Sequence, residues 1–182
     1  MNPAPPAIPV TIDELLNSRE ERALLQRELL ASYSGCALVS FMVNFPGPFK
    51  AGEDAVFIHK EGIRALEELL EPIPSPHSEQ RELATGREYF RLTRSEPAEI
   101  KRICCRLEEG HPLGRLFDID VIGKDGVPIS RTELGLEPRG CLLCGENPTV
   151  CRRRGAHTIE ELTGRIAEMV RRYREKALYQ GG

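Results

Sequence analysis

The sequence predicts an α+β fold in which helices flank a mixed or antiparallel sheet. Helix-like and strand-like hydrophobic patterns alternate irregularly along the chain, unlike the regular repeat of a doubly wound parallel sheet. The turn Lys124-Asp125-Gly126 is typical of a hairpin between antiparallel strands. The 182 residues suit one domain of ordinary size, and they contain neither an internal repeat nor an evident linker.

Composition and charge exclude several functional classes. The net charge of −3 is too small for a general nucleic-acid or membrane coat, and no apolar run approaches the roughly 20 residues that span a bilayer. With no Trp and 5% aromatic residues, an aromatic platform for sugars or bases is not expected. Residues 1–10 are Pro-rich and lack the basic start of a secretory signal. We therefore expect a cytoplasmic protein with reduced cysteines and without membrane or nucleic-acid partners.

The first ten residues are predicted to be a flexible arm, because their prolines prevent regular pairing, and residues 11–182 are predicted to be a single domain. Thr11 and Glu14 have the capping-box spacing that begins a helix. Arg19, Arg22 and Gln26 fall within its apolar face. Either their stems pack while their heads reach water, or they line a polar cavity and meet an anionic ligand or a buried carboxylate. The predicted apolar face contains Ile12, Leu15, Leu16, Ala23, Leu29 and Leu30.

The remaining elements follow from short hydrophobic patterns and turn residues. His59 lies on the apolar stripe of the second helix and is expected to pack in the core. Cys104 and Cys105 are expected to pack within the third helix instead of serving redox chemistry. In chain order, the patterns predict a strand over 35–43, a helix over 53–70, an irregular segment over 72–86, a strand over 87–93, a helix over 96–109 capped by Ser95, a strand over 116–122 that returns over 127–130, a loop over 131–157, and a last helix from the capping box of Thr158 and Glu161 to about residue 178.

Asp118 and Asp120 lie on a predicted strand whose alternate residues Phe117, Ile119 and Val121 face the core. The two carboxylates therefore stand side by side on the other face, with Cα atoms roughly 6–7 Å apart. They repel each other unless a cation lies between them, and oxygen ligands of this kind suit Mg²⁺ beside substrate phosphates. The arrangement indicates nucleotidyl transfer; a solvent-facing hairpin strand is the other interpretation of so short a motif.

The loop from Asn44 to Lys50 follows the first predicted strand and contains a Pro-Gly-Pro turn. Its Asn and Lys side chains are candidates to present an amide and a cation to a phosphate. The loop lacks the residue spacing of a phosphate-cradling P-loop, so a rigid surface turn is the alternative interpretation.

Four potential metal ligands lie close together in the sequence: Cys141, Cys144, Cys151 and His157. Thiolates and an imidazole at this spacing are candidates for a structural tetrahedral Zn²⁺ site, and separately buried thiols or a redox pair are the alternatives. Residues 152–182 contain eight Lys or Arg against four Glu, so this segment carries a charge of +4. An anionic ligand or an acidic protein partner could dock there, whereas a solvated helix face is the simpler interpretation.

Several segments, in this order and at this spacing, match one family of transferases. They are Arg19-Glu20-Glu21-Arg22 with Gln26, Asn44-Phe45-Pro46-Gly47-Pro48 with Lys50, Thr85-Gly86, Gly114 to Val121, Ser130-Arg131-Thr132, and Pro138 to Cys144 followed by Cys151-Arg152 and His157. On these segments the chain resembles holo-citrate lyase synthase, also called apo-citrate lyase phosphoribosyl-dephospho-CoA transferase, over most of residues 11–178.

The resemblance implies an enzyme, a nucleotidyltransferase-type phosphotransferase. The family transfers the phosphoribosyl-dephospho-CoA group from triphosphoribosyl-dephospho-CoA to a serine of the acyl carrier subunit of citrate lyase, and pyrophosphate leaves. The resemblance implies that Asp118 and Asp120 hold Mg²⁺, and that the acidic carrier protein approaches the basic surface near Arg152 to Arg154 or the C-terminal helix. The side chains implied in substrate binding are Arg19, Arg22, Gln26, Asn44, Lys50, Arg115, Arg131 and Arg139.

Two features depart from a nucleotidyltransferase pattern. The hydrophobic-Gly-Gly/Ser helix motif is absent before the aspartates, where only Gly114-Arg115 stands, so a nucleotidyltransferase-like fold rests on analogy of chemistry. A third carboxylate stays unassigned, although Glu133 lies nearby in the sequence. The competing function is a non-enzymatic, zinc-bearing interaction domain that binds an acidic protein, and such a domain needs no pair of aspartates on a core strand.

Overall fold

The computed structural model of the chain describes residues 8–180. In this part, none of the helices is long and apolar enough to cross a membrane. The elements are α1 (Ile12–Ser32), β1 (Ala37–Val43), α2 (Glu53–Leu70), β2 (Ser78–Leu83), β3 (Gly86–Thr93), α3 (Pro97–Gly110), β4 (Phe117–Ile122), α4 (Pro148–Arg154) and α5 (Ile159–Gln180). The predicted arm over residues 1–10 lies outside the described residues except for its last three, of which Val10 is buried and donates its backbone N–H to the Pro48 carbonyl at 3.0 Å.

The strands form one antiparallel sheet in the order β2-β3-β1-β4, which confirms the predicted α+β class. The middle strand β1 pairs with both β3 and β4, so its Ser40 lies opposite Phe90 on one side and Asp120 on the other. Side chains directly opposite one another in an antiparallel sheet share a face. The register therefore decides which side chains can meet above β4, the strand that carries the aspartates.

Helices cover both faces of the sheet, and each face has its own core. On one face, α2, α3 and α5 pack against Phe41 and Phe117. On the other face, Leu29 of α1 packs against Leu38 and Leu92. The chain thus forms three layers, and the apolar contact under α1 occupies only one half of that second face.

Both predicted capping boxes are present. Thr11 Oγ1 accepts a hydrogen bond from the Glu14 backbone N–H at 3.2 Å, and the Glu14 carboxylate accepts one from the Thr11 backbone N–H at 2.7 Å. Thr158 and Glu161 make the same reciprocal pair at the start of α5, at 2.8 and 3.1 Å. The local signals that begin these two helices were therefore sufficient to place their N-termini.

The expected core positions of three polar or reactive side chains are confirmed. His59, Cys104 and Cys105 are all buried. The His59 ring stacks on Phe41 with ring centroids 5.1 Å apart, and its burial, assisted by the Arg87 charge, lowers its pKa to about 4. The imidazole is therefore neutral at physiological pH and serves as packing.

Two local predictions in the middle of the chain were wrong. The segment expected to be irregular over 72–86 contains β2, whose side chains alternate between exposed and half-buried. Its sequence is almost entirely polar because it is an edge strand, so it lacks the apolar alternation that reveals a strand. Ser95 does not cap α3, which begins at Pro97 with Glu96 as N-cap and without a side-chain cap; proline suits the first helical turn without such help.

Two further corrections concern the segment after β4. The return strand predicted over 127–130 is a single bridge between Ile122 and Pro128, because proline has no backbone N–H for a ladder. The loop predicted over 131–157 contains the short helix α4. Asn147 caps α4 by accepting from the Thr149 backbone N–H at 2.9 Å, and Pro148 occupies its first turn.

The apolar face predicted for α1 was also wrong in part. Ile12 is 75% exposed and Leu16 is 48% exposed. The stripe that meets the sheet instead includes Arg22 and Gln26, which bond to side chains of β3 and β1. The sheet beneath this part of α1 contains the buried carboxylate Glu88, and a buried charge requires a partner. The helix therefore turns a partly polar side inward.

Gly62 of α2 is expected to be intolerant of a side chain. A Cβ there would lie 2.3 Å from Phe41 Cζ and 3.1 Å from Phe117 Cε1, and the Phe41 ring is held by His59 and Phe117. Overpacking costs about 1–3 kcal/mol, against about 0.5–1 kcal/mol that alanine gains over glycine in a helix. We expect Gly62→Ala to lower the free energy of unfolding by about 1 kcal/mol, measured by urea denaturation.

Gly164 of α5 provides the matched control, since nothing lies within 4 Å of the Cβ that alanine would add there. Gly164→Ala is expected to raise the free energy of unfolding by about 0.5–1 kcal/mol. Equal effects of the two substitutions would contradict the packing described between α2 and the sheet.

Candidate active site

Asp118 and Asp120 stand side by side on one face of β4, while Phe117, Ile119 and Val121 are buried on the other. Asp120 is exposed, and the Asp118 side chain is 42% exposed. Both carboxylates are therefore accessible from solvent. The strand geometry expected from the sequence is present, and it leaves the pair open to a cation and to substrate phosphates.

The two carboxylates repel each other, and a divalent cation bound between them would relieve this repulsion. The protein packed around Asp120 raises the pKa of its carboxyl, although its outer atoms reach solvent, and the Asp118 charge raises that pKa further. The charges of Lys101, Arg22 and Arg139 act in the opposite direction. Two accessible oxygen ligands that repel each other fit Mg²⁺, the cation expected from the sequence.

Arg22 of α1 reaches over the same face of the sheet. Its Nη1 lies 3.2 Å from Glu88 Oε1 and 3.0 Å from Met42 Sδ. Met42 lies directly opposite Asp118 in the sheet, so Arg22 is one strand away from the aspartates and its charge lowers the pKa of Asp120. Of the two interpretations of this arginine, the contact with a buried carboxylate is the one observed.

Gln26 and Arg19, the other two polar residues singled out on α1, occupy different surroundings. Gln26 Nε2 donates to Ser40 Oγ at 3.0 Å, and Ser40 lies directly opposite Asp120. Arg19 is exposed, and its charge contributes to lowering the pKa of Lys50. The structure therefore brings Arg22 and Gln26 to the aspartates and places Arg19 toward the loop that ends at Lys50.

Glu88 is a site residue that sequence reasoning missed. It lies opposite Met42, on the face that carries Asp118, and its side chain is 3% exposed. Burial raises the pKa of its carboxyl, whereas the Arg22 and Arg81 charges lower that pKa. Within residues 8–180, Glu88 Oε2 has no hydrogen-bond partner. The sequence signal that could have revealed Glu88 is strand alternation, which places it on the same buried face as Phe90 and Leu92.

The outer edge of β4 is held by three charged side chains. Lys101 Nζ donates to the Ile119 carbonyl at 2.5 Å, and Glu108 Oε1 accepts from the Ile119 backbone N–H at 3.2 Å. Arg139 Nη1 donates to the Phe117 carbonyl at 2.6 Å. An edge strand otherwise presents unpaired backbone groups, so these contacts fix the strand that carries the aspartates. Lys101 and Glu108 were also missed, because helix patterns do not reveal contacts with a distant strand.

Arg139 and Arg131, two of the predicted substrate-binding residues, differ in their access to the aspartates. Arg139 Nη2 lies 3.4 Å from Asp118 Oδ1. Arg131 pairs with the buried Glu108 at 2.7 Å and also with Glu109, so its guanidinium is engaged by two carboxylates of α3. Glu133 accepts hydrogen bonds from Ser130, and this contact gives it no part in the aspartate pair.

The loop after β1 adopts an ordered turn. The Asn44 backbone N–H donates to the Leu116 carbonyl at 2.9 Å, while the Asn44 side chain is exposed. Lys50 donates to the Phe45 carbonyl, and burial lowers its pKa. Arg115 donates to the Gly140 carbonyl. Asn44 is therefore available to a ligand, whereas Lys50 and Arg115 also make contacts that shape their own loops.

Residues 140–157, which we call the cysteine module, bring their four potential ligands together. The Sγ atoms of Cys141, Cys144 and Cys151 and a ring nitrogen of His157 all lie within 4.8 Å of one another. Cys144 Sγ is 3.4 Å from Cys151 Sγ and 3.2 Å from His157 Nε2. Backbone N–H groups, that of Cys144 foremost, lower the pKa of the Cys141 thiol to about 7. This donor set and its closeness fit a tetrahedral Zn²⁺ ion.

The turn between the first two cysteines is tightly constrained. The Cys141 backbone N–H donates to the Glu146 carbonyl at 2.6 Å, and the Gly145 N–H donates to the Cys141 carbonyl at 3.1 Å. A Cβ on Gly140 would lie 2.1 Å from the Gly145 carbonyl oxygen. Glycine at position 140 is therefore required for the chain to fold back and bring the ligands together.

A surface cavity lies elsewhere in the structure. It follows the end of β3 that is remote from Glu88, and it shares no residue with the aspartate pair. It is lined by Pro74, Ser75, Pro76, Arg94 and Ser95. The chemistry-bearing side chains therefore lie outside this cavity, on the face of the sheet that α1 covers only in part.

The chain is similar to proteins of one enzyme family. Residues 10–173 match the family model described as apo-citrate lyase phosphoribosyl-dephospho-CoA transferase. A probable apo-citrate lyase phosphoribosyl-dephospho-CoA transferase of Vibrio cholerae serotype O1 is 37% identical over 171 residues, covering 92% of this chain and 96% of that protein. An Escherichia coli O139:H28 protein with the same name, without "probable", is 37% identical over 163 residues, 88% of each chain. Protein CitXG of Haemophilus influenzae is 32% identical over 166 residues, 90% of this chain but 36% of that protein.

Proposed function

This chain belongs to the apo-citrate lyase phosphoribosyl-dephospho-CoA transferase family, and we propose how its residues carry out that transfer. It transfers phosphoribosyl-dephospho-CoA to apo-citrate lyase. The donor is triphosphoribosyl-dephospho-CoA, and the acceptor is a serine hydroxyl on the acyl carrier subunit. The reaction is of the nucleotidyltransferase type and takes place in the cytoplasm. The observation that supports this proposal most strongly is the accessible pair Asp118 and Asp120 beside Arg139.

The bond changes in the proposed reaction are simple. The serine oxygen forms a bond to the α-phosphorus of the donor triphosphate. The bond from that phosphorus to the oxygen bridging toward the β-phosphate breaks, and pyrophosphate leaves with the electron pair. The hydroxyl proton passes to solvent. Because all the reacting bonds belong to the substrates, the protein contributes the positioning of the substrates and the compensation of their charge.

Asp118 and Asp120 would hold the Mg²⁺ ion, because they present accessible carboxylate oxygens from one face of a fixed strand. When bound, Mg²⁺ neutralises charge on the triphosphate and on the leaving pyrophosphate. The side chains of Lys101, Glu108 and Arg139 keep β4 in place through its backbone. The strand that carries the aspartates is therefore fixed before the donor binds.

The cationic side chains divide into three groups in this proposal. Arg139 beside Asp118 and Arg22 one strand away stabilise the phosphates, while Gln26 and Asn44 offer amides to the donor. Arg131 acts through the Glu108 carboxylate that it shares with Arg139. The remaining cations, at the loop and at the start of the cysteine module, extend the positive surface along the donor; they are Arg19, Lys50 and Arg115.

The cysteine module has a structural role in this proposal. Cys141, Cys144, Cys151 and His157 would hold one Zn²⁺ ion that fixes the chain between Arg139 and α5. A closed set of four protein ligands is typical of structural zinc, whereas catalytic zinc keeps an open position. A non-enzymatic interaction domain is not favoured, because such a domain would need neither the aspartate pair nor the contacts that support it.

Intact-mass spectrometry of the carrier subunit tests the proposed function. The purified chain is incubated with apo carrier subunit, triphosphoribosyl-dephospho-CoA and Mg²⁺. We expect the carrier mass to rise by one phosphoribosyl-dephospho-CoA group, and we expect no rise when the acceptor serine is replaced by alanine. An unchanged mass, with a donor shown to be active by a known transferase, would refute the proposal.

A further inference from the structure

The basic C-terminal segment consists of two surfaces with different ionic surroundings. On α5, the arginines are paired within the chain. Arg165 and Arg171 lie 2.8 Å from Glu168 and Glu175, respectively. Arg172 also binds Glu168, while Arg174 approaches Asp54 at 3.8 Å and covers the Phe57 ring. These contacts compensate most of the positive charge that α5 carries.

The arginines of α4 have different surroundings. Arg152, Arg153 and Arg154 are consecutive, all three are exposed, and within residues 8–180 none of them forms a side-chain ion pair or hydrogen bond. Three adjacent cations in the last turn of α4, where the helix C-terminus favours positive charge, form a surface that attracts anionic ligands. The structure thus distinguishes two surfaces that the sequence left equivalent.

The α4 arginines are also connected to the candidate active site through the cysteine module. Arg139, which contacts Asp118, immediately precedes Gly140, whose carbonyl accepts from Arg115. The cysteine module begins at that glycine. Cys151, the residue before Arg152, is 9% exposed and lies in the ligand cluster. The arginines therefore follow a residue of the ligand cluster, in a module that begins directly after Arg139.

We propose that Arg152, Arg153 and Arg154 are the docking surface for the protein acceptor, an acidic face of the acyl carrier subunit. The proposal rests on the proposed function, since it assumes that the acceptor is this protein. The charge of +4 over residues 152–182 contrasts with an acidic remainder of the chain. A long polyanion would be repelled by that remainder, whereas a compact acidic protein face meets only the local patch.

The test compares two variants that each lose three positive charges. One carries Arg152→Gln, Arg153→Gln and Arg154→Gln on α4, and the other carries Arg165→Gln, Arg171→Gln and Arg172→Gln on α5. Binding of apo carrier subunit is measured by calorimetry without donor, and KM is measured separately for carrier and donor. We expect the α4 variant to bind the carrier about tenfold more weakly or worse, with a smaller difference at high salt. The α5 variant should stay within about twofold of the unmodified chain.

Three outcomes would overturn the docking proposal. Equal losses in the two variants would mean that net charge alone attracts the carrier. A raised KM for the donor with unchanged carrier binding would assign the arginines to the donor phosphates. Unchanged carrier binding and unchanged KM values would leave the α4 arginines without a role in either substrate. Failure of the unmodified chain to modify the carrier would instead refute the proposed function. Circular dichroism and a measurement of zinc content check that both variants are folded.

Discussion

Replacing Asp120 with asparagine is expected to slow prosthetic-group transfer by about 10³-fold or more. A metal ion beside phosphates supplies several kcal/mol of transition-state stabilisation, and about 4 kcal/mol corresponds to a factor of 10³ in rate. Asparagine keeps the shape of the side chain but removes the negative charge that holds the cation. The initial rate of carrier modification, measured at saturating donor over a range of Mg²⁺ concentrations, gives the result.

The same substitution should raise thermal stability, which separates loss of function from loss of fold. The surroundings raise the pKa of Asp120, so the folded chain binds this proton more tightly than the unfolded chain. Stability therefore falls as pH rises through the interval between the two pKa values, and at neutral pH the charge is destabilising. We expect Asp120→Asn to raise Tm at pH 7, and the gain should vanish in acid. A variant that is inactive and less stable at pH 7 would contradict this explanation.

Replacing Cys151 with serine is expected to remove a bound zinc ion and to lower the free energy of unfolding by more than about 3 kcal/mol. Structural zinc sites contribute about 10–16 kcal/mol of binding free energy that is coupled to folding, and serine is a poor ligand. Cys151 is also buried, and it is the α4 residue of the ligand cluster. Elemental analysis together with urea denaturation measures both effects.

Cys105→Ala provides the control for this prediction, because Cys105 is buried in α3 and lies outside the ligand cluster. That variant should retain one zinc per chain. A strong chelator should lower Tm of the unmodified chain but leave Cys151→Ser unchanged. Purified chain without zinc, prepared without chelator, would refute the zinc site and leave three separate thiols and an imidazole.

Much of the fold was predictable because its signals are local. The capping boxes at Thr11 and Thr158 place two helices, and the alternation around Asp118 and Asp120 places both carboxylates on one face of a strand. These features depend on residues within a few positions of one another. The cysteine cluster was likewise visible from spacing, since a short chain segment leaves its ligands little freedom.

The parts that sequence reasoning missed depend on contacts between distant segments. The inward side of α1 is decided by Glu88, which lies 66 positions after Arg22. The polar edge strand β2 gains its conformation from pairing with β3 and has no apolar pattern of its own. The support of β4 by Lys101 and Glu108 is also a tertiary contact. Such contacts follow from strand order, which periodicity does not encode.

The most direct test of the central claim uses the double variant Asp118→Asn, Asp120→Asn. Its matched control is Asp125→Asn, since Asp125 is an exposed turn residue whose side chain accepts from the Val127 backbone N–H at 3.0 Å, and asparagine can also accept this bond. The mass of the carrier subunit is followed over time with saturating donor and Mg²⁺. We predict complete modification by the unmodified chain and by Asp125→Asn, and no detectable modification by the double variant. Modification by the double variant at the unmodified rate would contradict the assignment of the reaction to this aspartate pair.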